Sequence, residues 1–201
     1  MATAIPLSAL LRTRTASLHE QIELLLGLPG AIRNRDDYVL WLGRFLGIYE
    51  PLERSLVAFR EWDALGLVRP ASHAACLIDD LEALGVGPEG MRMPLAMLPE
   101  LPGFAHAFGA SYVMEGATLG GRLILRDLEA RIGAPISRAA RFFGGQDDPA
   151  GPKWRDFKAA LDDFGREQPQ CRVDVVTGAE RTFRAMLAWF APFCAAAASG
   201  Q

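Results

Sequence analysis

The run Tyr112-Val113-Met114-Glu115-Gly116-Ala117-Thr118-Leu119-Gly120-Gly121 lies inside a segment patterned as one long helix, about Gly103 to Arg131. Glycine in a helix interior costs roughly 0.5–1 kcal/mol relative to alanine. Gly116, Gly120 and Gly121 fall near one face, because residues four apart are helical neighbours. Such a face lets another object approach the backbone, and a local kink there shapes a pocket. Two kinds of object fit: a second helix or a flat ligand.

Outward from this run the chain reads as helical throughout. Ser8 is expected to cap a first helix to about Leu26, with Leu10, Leu11, Leu18, Ile22, Leu25 and Leu26 as its apolar positions. Gly27 and Pro29 end it. A second helix starts near Asp36–Asp37 and carries Tyr38, Trp41, Phe45, Tyr49 and Leu52, with Pro51 as a candidate kink. Ser72 is expected to cap a third, to Leu84, closed by Gly85 and Gly87. The proline-rich stretch Gly87–Pro102 reads as a loop. After the glycine-bearing helix come a short helix Pro135–Phe143, a loop Gln146–Pro152, and helices at about Lys153–Arg166 and Gln170–Ala198. The strand-like Val173-Asp174-Val175-Val176 has nothing to pair with and is folded into the last helix. The expected fold class is all-α, with residues 1–201 as a single domain.

Composition limits the function. Of 201 residues, 50% are hydrophobic and 22% charged, which is globular and not disordered. A net charge of −3 without a basic stripe gives no reason to expect nucleic-acid binding. No apolar run approaches the roughly 20 residues of a membrane span, and no basic, then apolar leader opens the chain. Cys76, Cys171 and Cys194 show no CxxC spacing, which disfavours a disulfide framework or zinc site and fits a reducing, cytoplasmic setting.

Motifs for hydrolytic, phosphate-binding or dinucleotide chemistry are missing: there is no GxSxG, Walker A, HExxH or Rossmann fingerprint. Of His19, His73 and His106, no two have helical metal-pair spacing. A di-iron bundle needs paired ExxH helices, and His19-Glu20 with Glu23 supplies less than half of one. His19 is nevertheless the informative histidine. Arg12 lies seven residues before it and Glu23 four after, on one stripe flanked by Leu18 and Ile22. Imidazole beside an apolar stripe suits axial ligation of haem iron, and Arg12 could pair with a propionate. A lone helical histidine is more often a packed or surface residue, and a small-residue face more often plain helix packing. Together the two features suggest a flat ligand between a histidine helix and a glycine helix.

The same residues carry a resemblance. The first helix, Leu11-Arg12-Thr13-Arg14-Thr15-Ala16-Ser17-Leu18-His19-Glu20-Gln21-Ile22-Glu23, resembles the proximal-histidine helix of the haem oxygenase family. The run at 112–121 resembles the family's distal helix in its bacterial YVxEGSxLGG form. Trp154-Arg155-Asp156-Phe157 and Ala179-Glu180-Arg181-Thr182-Phe183 resemble its C-terminal half. The similarity spans about residues 8–190 and looks closest to the bacterial, phytochrome-associated group.

The resemblance implies a multi-helical bundle with haem between the proximal and distal helices. It implies His19 as iron ligand, Glu23 on the other imidazole nitrogen, and Gly116, Gly120 and Gly121 crowding the oxygen side. Haem serves as substrate and cofactor, and three O2 with seven electrons convert it to biliverdin, carbon monoxide and ferrous iron. No flavin or iron–sulfur motif is present, so the electron donor is external, ferredoxin or another reductase. A bacteriophytochrome is the candidate recipient of biliverdin. Arg12, then Lys158, then Arg126 are the candidate propionate partners. Animal members carry an aspartate where this chain has Ala117, which leaves proton delivery to other groups, with Tyr112 or Tyr38 as candidate anchors. Two alternatives stand beside the enzyme: a haem-binding or trafficking protein on the same fold, and a haem-free, thiaminase-like hydrolase. The latter would need a supported active-site cysteine, whereas Cys76 and Cys194 sit in apolar stretches. Phe104, Phe108, Phe142 and Phe143 are candidate pocket or core aromatics.

Overall fold

The computed structural model describes residues 5–64, 72–87, 89–91, 95–145 and 150–198. Among these, nine α-helices and one 3-10 turn occur and no strand. They are α1 (Leu7–Leu26), α2 (Arg35–Leu56), α3 (Glu61–Ala64), α4 (His73–Ala83) and α5 (Phe104–Ile132). Then come α6 (Ala134–Arg138), α7 (Arg141–Gly144), α8 (Ala150–Glu167) and α9 (Arg172–Ala198).

Three helices form the frame: α9 packs along α5 and along α1. The α5–α9 crossing is a backbone-to-backbone contact made possible by glycine on both sides. A Cβ on Gly109 would stand 1.9 Å from the Val175 carbonyl oxygen, and one on Gly178 would stand 2.1 Å from that of His106. No side chain fits there, so these two glycines set how closely the frame helices approach. A second cluster of rings lies beside the crossing, where Trp62 meets Phe104 and Phe108, and Phe108 meets Phe157 and Phe164.

Several helix ends differ from the sequence expectation. Ser8 is not the cap of α1, which begins at Leu7 without a side-chain cap. Instead Ser8 lies in the first turn, and its N–H and Oγ donate to the Asp162 carboxylate of α8 at 2.7 and 2.9 Å. A carboxylate borrowed from another helix thus serves the positive end of α1. Asn34 caps α2 by accepting from the Asp37 N–H at 2.8 Å, and the helix runs through Pro51 to Leu56. Ser72 caps α4 as expected, through the Ala75 N–H. Gly85, with φ +78°, follows the end of α4. The expected helix at 135–143 is two short ones. The expected loop at 146–152 lies outside the described residues as far as 149, and its last three positions open α8, where Pro152 sits in the first turn and sacrifices no helical bond. The strand-like Val173–Val176 lies wholly within α9.

The expected glycine-rich helix is an unbroken α-helix from Phe104 to Ile132. It shapes its surroundings by what it lacks in side chain.

Candidate functional site

Between α1 and α5 lies a cavity of about 790 Å³. Its size falls in the range of small-molecule and cofactor sites, roughly 300–1,000 Å³. One wall is the α1 stripe Arg12, Thr15, His19, Ile22 and Leu26, spaced three or four apart, with Glu23 one turn after His19. The facing wall is α5 from Tyr112 to Ile124, including Gly116, Ala117, Gly120 and Gly121. Phe45 and Tyr49 of α2, Phe142 and Phe143 of α7, Trp154 of α8, and Phe183, Met186 and Phe190 of α9 close the interior.

The three distal glycines do different things. A Cβ on Gly120 would meet nothing within 4 Å among the described residues, so this position leaves the cavity open beside bare backbone. A Cβ on Gly116 would stand 3.5 Å from the Trp154 indole, an ordinary contact. A Cβ on Gly121 would stand only 2.6 Å from the Phe143 carbonyl oxygen and 3.2 Å from its Cα. Gly121 therefore serves helix packing: it lets α7 sit against α5 and brings Phe142 and Phe143 to the cavity.

His19 lines the cavity, and its side chain retains 55% exposure. Its Nδ1 lies 3.3 Å from Glu23 Oε2, one turn on. Its ring meets Phe183 of α9 edge-on, with centroids 6.0 Å apart. A ring fixed by a carboxylate on Nδ1 leaves Nε2 as the nitrogen for a ligand, the usual second partner arrangement of a metal-bound imidazole. Tyr112 also lines the cavity, and burial raises its phenol above the ordinary range, opposed by Thr15 and the Arg12 charge.

Not every expected residue comes to the cavity. Arg12 is at its wall, whereas Lys158 and Arg126 are not among the lining residues. Lys158 instead holds its ammonium 5.8 Å from the Trp154 ring centroid. Tyr38 is also elsewhere: its hydroxyl donates to the Ala139 carbonyl at 2.6 Å, deep in the core. Of the four phenylalanines, Phe142 and Phe143 reach the cavity and Phe104 and Phe108 belong to the second ring cluster. Cys76 is buried and Cys194 half-buried, and neither lines the cavity.

Two buried carboxylates escaped the sequence reading. Asp80 of α4 accepts from the Arg141 and Phe142 N–H groups at 2.9 Å each, and so fixes the start of α7. Glu53 of α2 accepts from the His73 N–H at 2.7 Å and from Ala74, and so fixes the start of α4. Burial pushes the Glu53 carboxyl up to about 7, against those N–H groups. His73 then lies at the cavity wall. The available signal was an acidic residue inside an apolar helical stripe, as at Leu52-Glu53 and Asp80-Leu81.

The sequence model of the family described as "Heme oxygenase" matches residues 98–192, from the approach to α5 into α9. A protein named heme oxygenase from Xanthomonas campestris pv. campestris (strain 8004) is 35% identical over 108 residues. Both comparisons find similarity to haem oxygenases over about half of this chain. The second alignment covers 53% of this chain and 60% of that relative. The family match contains the glycine-bearing wall of the cavity, while α1 with His19 precedes it. No helix among the described residues is long and apolar enough to cross a membrane. No cluster of three or more His, Cys, Asp or Glu that could hold a metal ion occurs among them either. A single axial histidine in a largely apolar slot is the donor set that haem needs, because the porphyrin supplies the other four nitrogens.

Proposed function

We propose that this chain binds haem between α1 and α5 and opens it oxidatively to biliverdin, carbon monoxide and ferrous iron. The observation that carries the reading is the slot itself: His19, oriented by Glu23, on one wall, and the bare backbone at Gly120 on the other. Haem supplies the oxygen chemistry, and the protein supplies orientation and shape. In this reading His19 Nε2 would ligate the haem iron. Glu23 keeps the imidazole ring in place and makes it a better donor. Arg12, at the rim, pairs with a propionate. Tyr112 and the interior rings hold the macrocycle flat and exclude bulk water. The open backbone at Gly120 leaves room for oxygen close to the ring edge. Electrons come from an external donor, ferredoxin or another reductase. The protein acts in the cytoplasm, with a bacteriophytochrome as the recipient of biliverdin.

The test is to mix the purified protein with equimolar haemin, record the Soret band, and add ascorbate or ferredoxin with its reductase in air. The expected result is a sharp Soret band that decays while a red biliverdin band grows. His19→Ala is expected to lose the six-coordinate spectrum and turnover; unchanged ring opening would refute the ligand assignment. A Soret band that forms and persists under reductant would instead identify a haem carrier.

A further inference from the structure

His73 is the one cavity-lining histidine that the reading above leaves without a task. It is 6% exposed, and its Nε2 has no hydrogen-bond partner among the described residues. A buried polar atom left unpaired costs about 1–3 kcal/mol, so the position calls for a partner. The nearest carboxylate oxygen, Glu115 Oε1, is 3.9 Å away, too far for a direct bond. That separation, beside a cavity, is the kind a water bridges. Glu115 immediately precedes Gly116, so such a water sits against the glycine wall. On the other side the imidazole is confined by rings, with Tyr49 edge-on at 5.6 Å and Phe142 at 6.5 Å between centroids. Its backbone N–H is tied to Glu53.

We infer that His73 is a positioning residue that holds an ordered water, shared with Glu115, at the glycine wall of the cavity. This purpose rests on the haem-opening reading. Reduction of oxygen consumes protons inside the slot, and Ala117 offers no polar side chain there. Imidazole can accept a hydrogen bond at one nitrogen or donate at it, so a water on Nε2 can take up a proton from one neighbour as it gives another away. Burial lowers the imidazole's pKa below its ordinary value; of the charged groups acting on the ring, Glu115 opposes that shift and Lys153 adds to it. The site was not visible in the sequence, because Glu115 and His73 are 42 positions apart and lie on different helices.

The test has two arms. The first is a crystal structure of the haem-free protein at a resolution that shows ordered water. Density within about 3.2 Å of both Nε2 and Glu115 Oε1 is expected. A direct histidine–glutamate bond, or an apolar gap without density, would overturn the inference. The second arm compares His73→Phe and His73→Gln with the parent after loading with haemin. Both variants are expected to keep the parent Soret band, since His19 is untouched. His73→Phe should open the ring at least tenfold more slowly and release hydrogen peroxide, while His73→Gln, which keeps a polar group, should recover most of the rate. Parental rates in His73→Phe would overturn the inference. Should the phenylalanine variant not accumulate, His73→Leu carries the same comparison. If the parent itself takes up no haemin, the haem reading fails, and the crystallographic arm still decides the water.

Discussion

Gly120 and Gly121 are adjacent in one helix, yet alanine at the two positions should move stability in opposite directions. At Gly120 a Cβ meets nothing within 4 Å. Alanine there gains its helix-propensity advantage, about 0.8–1 kcal/mol, with no steric cost. At Gly121 the same advantage is opposed by the Phe143 carbonyl, 2.6 Å from the new carbon. A comfortable C···O contact is about 3.3 Å, so α7 must retreat by ~0.7 Å. Neither partner is the tip of a flexible side chain, and overpacking of this kind costs about 1–3 kcal/mol. The propensity gain is common to both variants and cancels in their difference, which is therefore the steric cost alone, about 2 kcal/mol. For a chain of this length that separates the two melting temperatures by about 4–8 °C. Gly120→Ala should melt above the parent and Gly121→Ala below it, in thermal unfolding followed by circular dichroism. Equal shifts of the same sign would refute the assignment of Gly120 to the cavity and Gly121 to helix packing.

Other outcomes follow from the same geometry. Gly109→Ala would place a carbon 1.9 Å from the Val175 carbonyl and should cost about 3 kcal/mol or more, lowering the melting temperature by roughly 6–12 °C; an unshifted melt would contradict the α5–α9 contact. Glu53 has its carboxyl raised from about 4.3 to about 7 in the fold, so between those pH values the native state holds more protons than the unfolded chain. Its contribution is then fully present below about pH 4.3 and is lost as pH rises through 7, a change on the order of 3 kcal/mol. Glu53→Gln should flatten that fall in a pH series of denaturant titrations, and an unaltered slope would show that another group causes it. Arg12→Ala should weaken haemin binding more than Lys158→Ala, as measured by Soret titration, because Arg12 lines the cavity and Lys158 does not; the reverse order would reassign the propionate partner.

Periodicity and punctuation carried most of the helix boundaries. Gly85, Gly103 and Gly133 fall where helices stop or start, and the long helices are set by their apolar stripes. The cavity's two walls were legible for the same reason, since His19, Arg12 and Glu23 share a face by spacing alone. What spacing cannot convey is which surface a face meets. Gly116, Gly120 and Gly121 read alike in sequence, and only the position of Trp154 and Phe143 separates them. Gly109 and Gly178 set the α5–α9 approach, but a lone glycine in a helix gives no hint of a partner 69 residues away. Ser8 looked like a cap because it is serine before an apolar run, yet the Asp162 carboxylate reaches it from α8. Lys158 was a candidate through the resemblance alone, and its ammonium lies by the Trp154 ring instead of at the cavity wall.

The docking of α1 onto α8 and α9 bears on how the protein is made. Ser8 and its partner Asp162 are separated by 154 positions, and Arg14 and Glu180 by 166. At about 5–20 residues per second, a ribosome needs on the order of 8–30 s to supply the second member after the first. Throughout that interval the stripe bearing His19 has no α9 to lie against, so its apolar face is exposed to the surroundings. Under the proposed function, haem loading therefore belongs to the period after synthesis of α9.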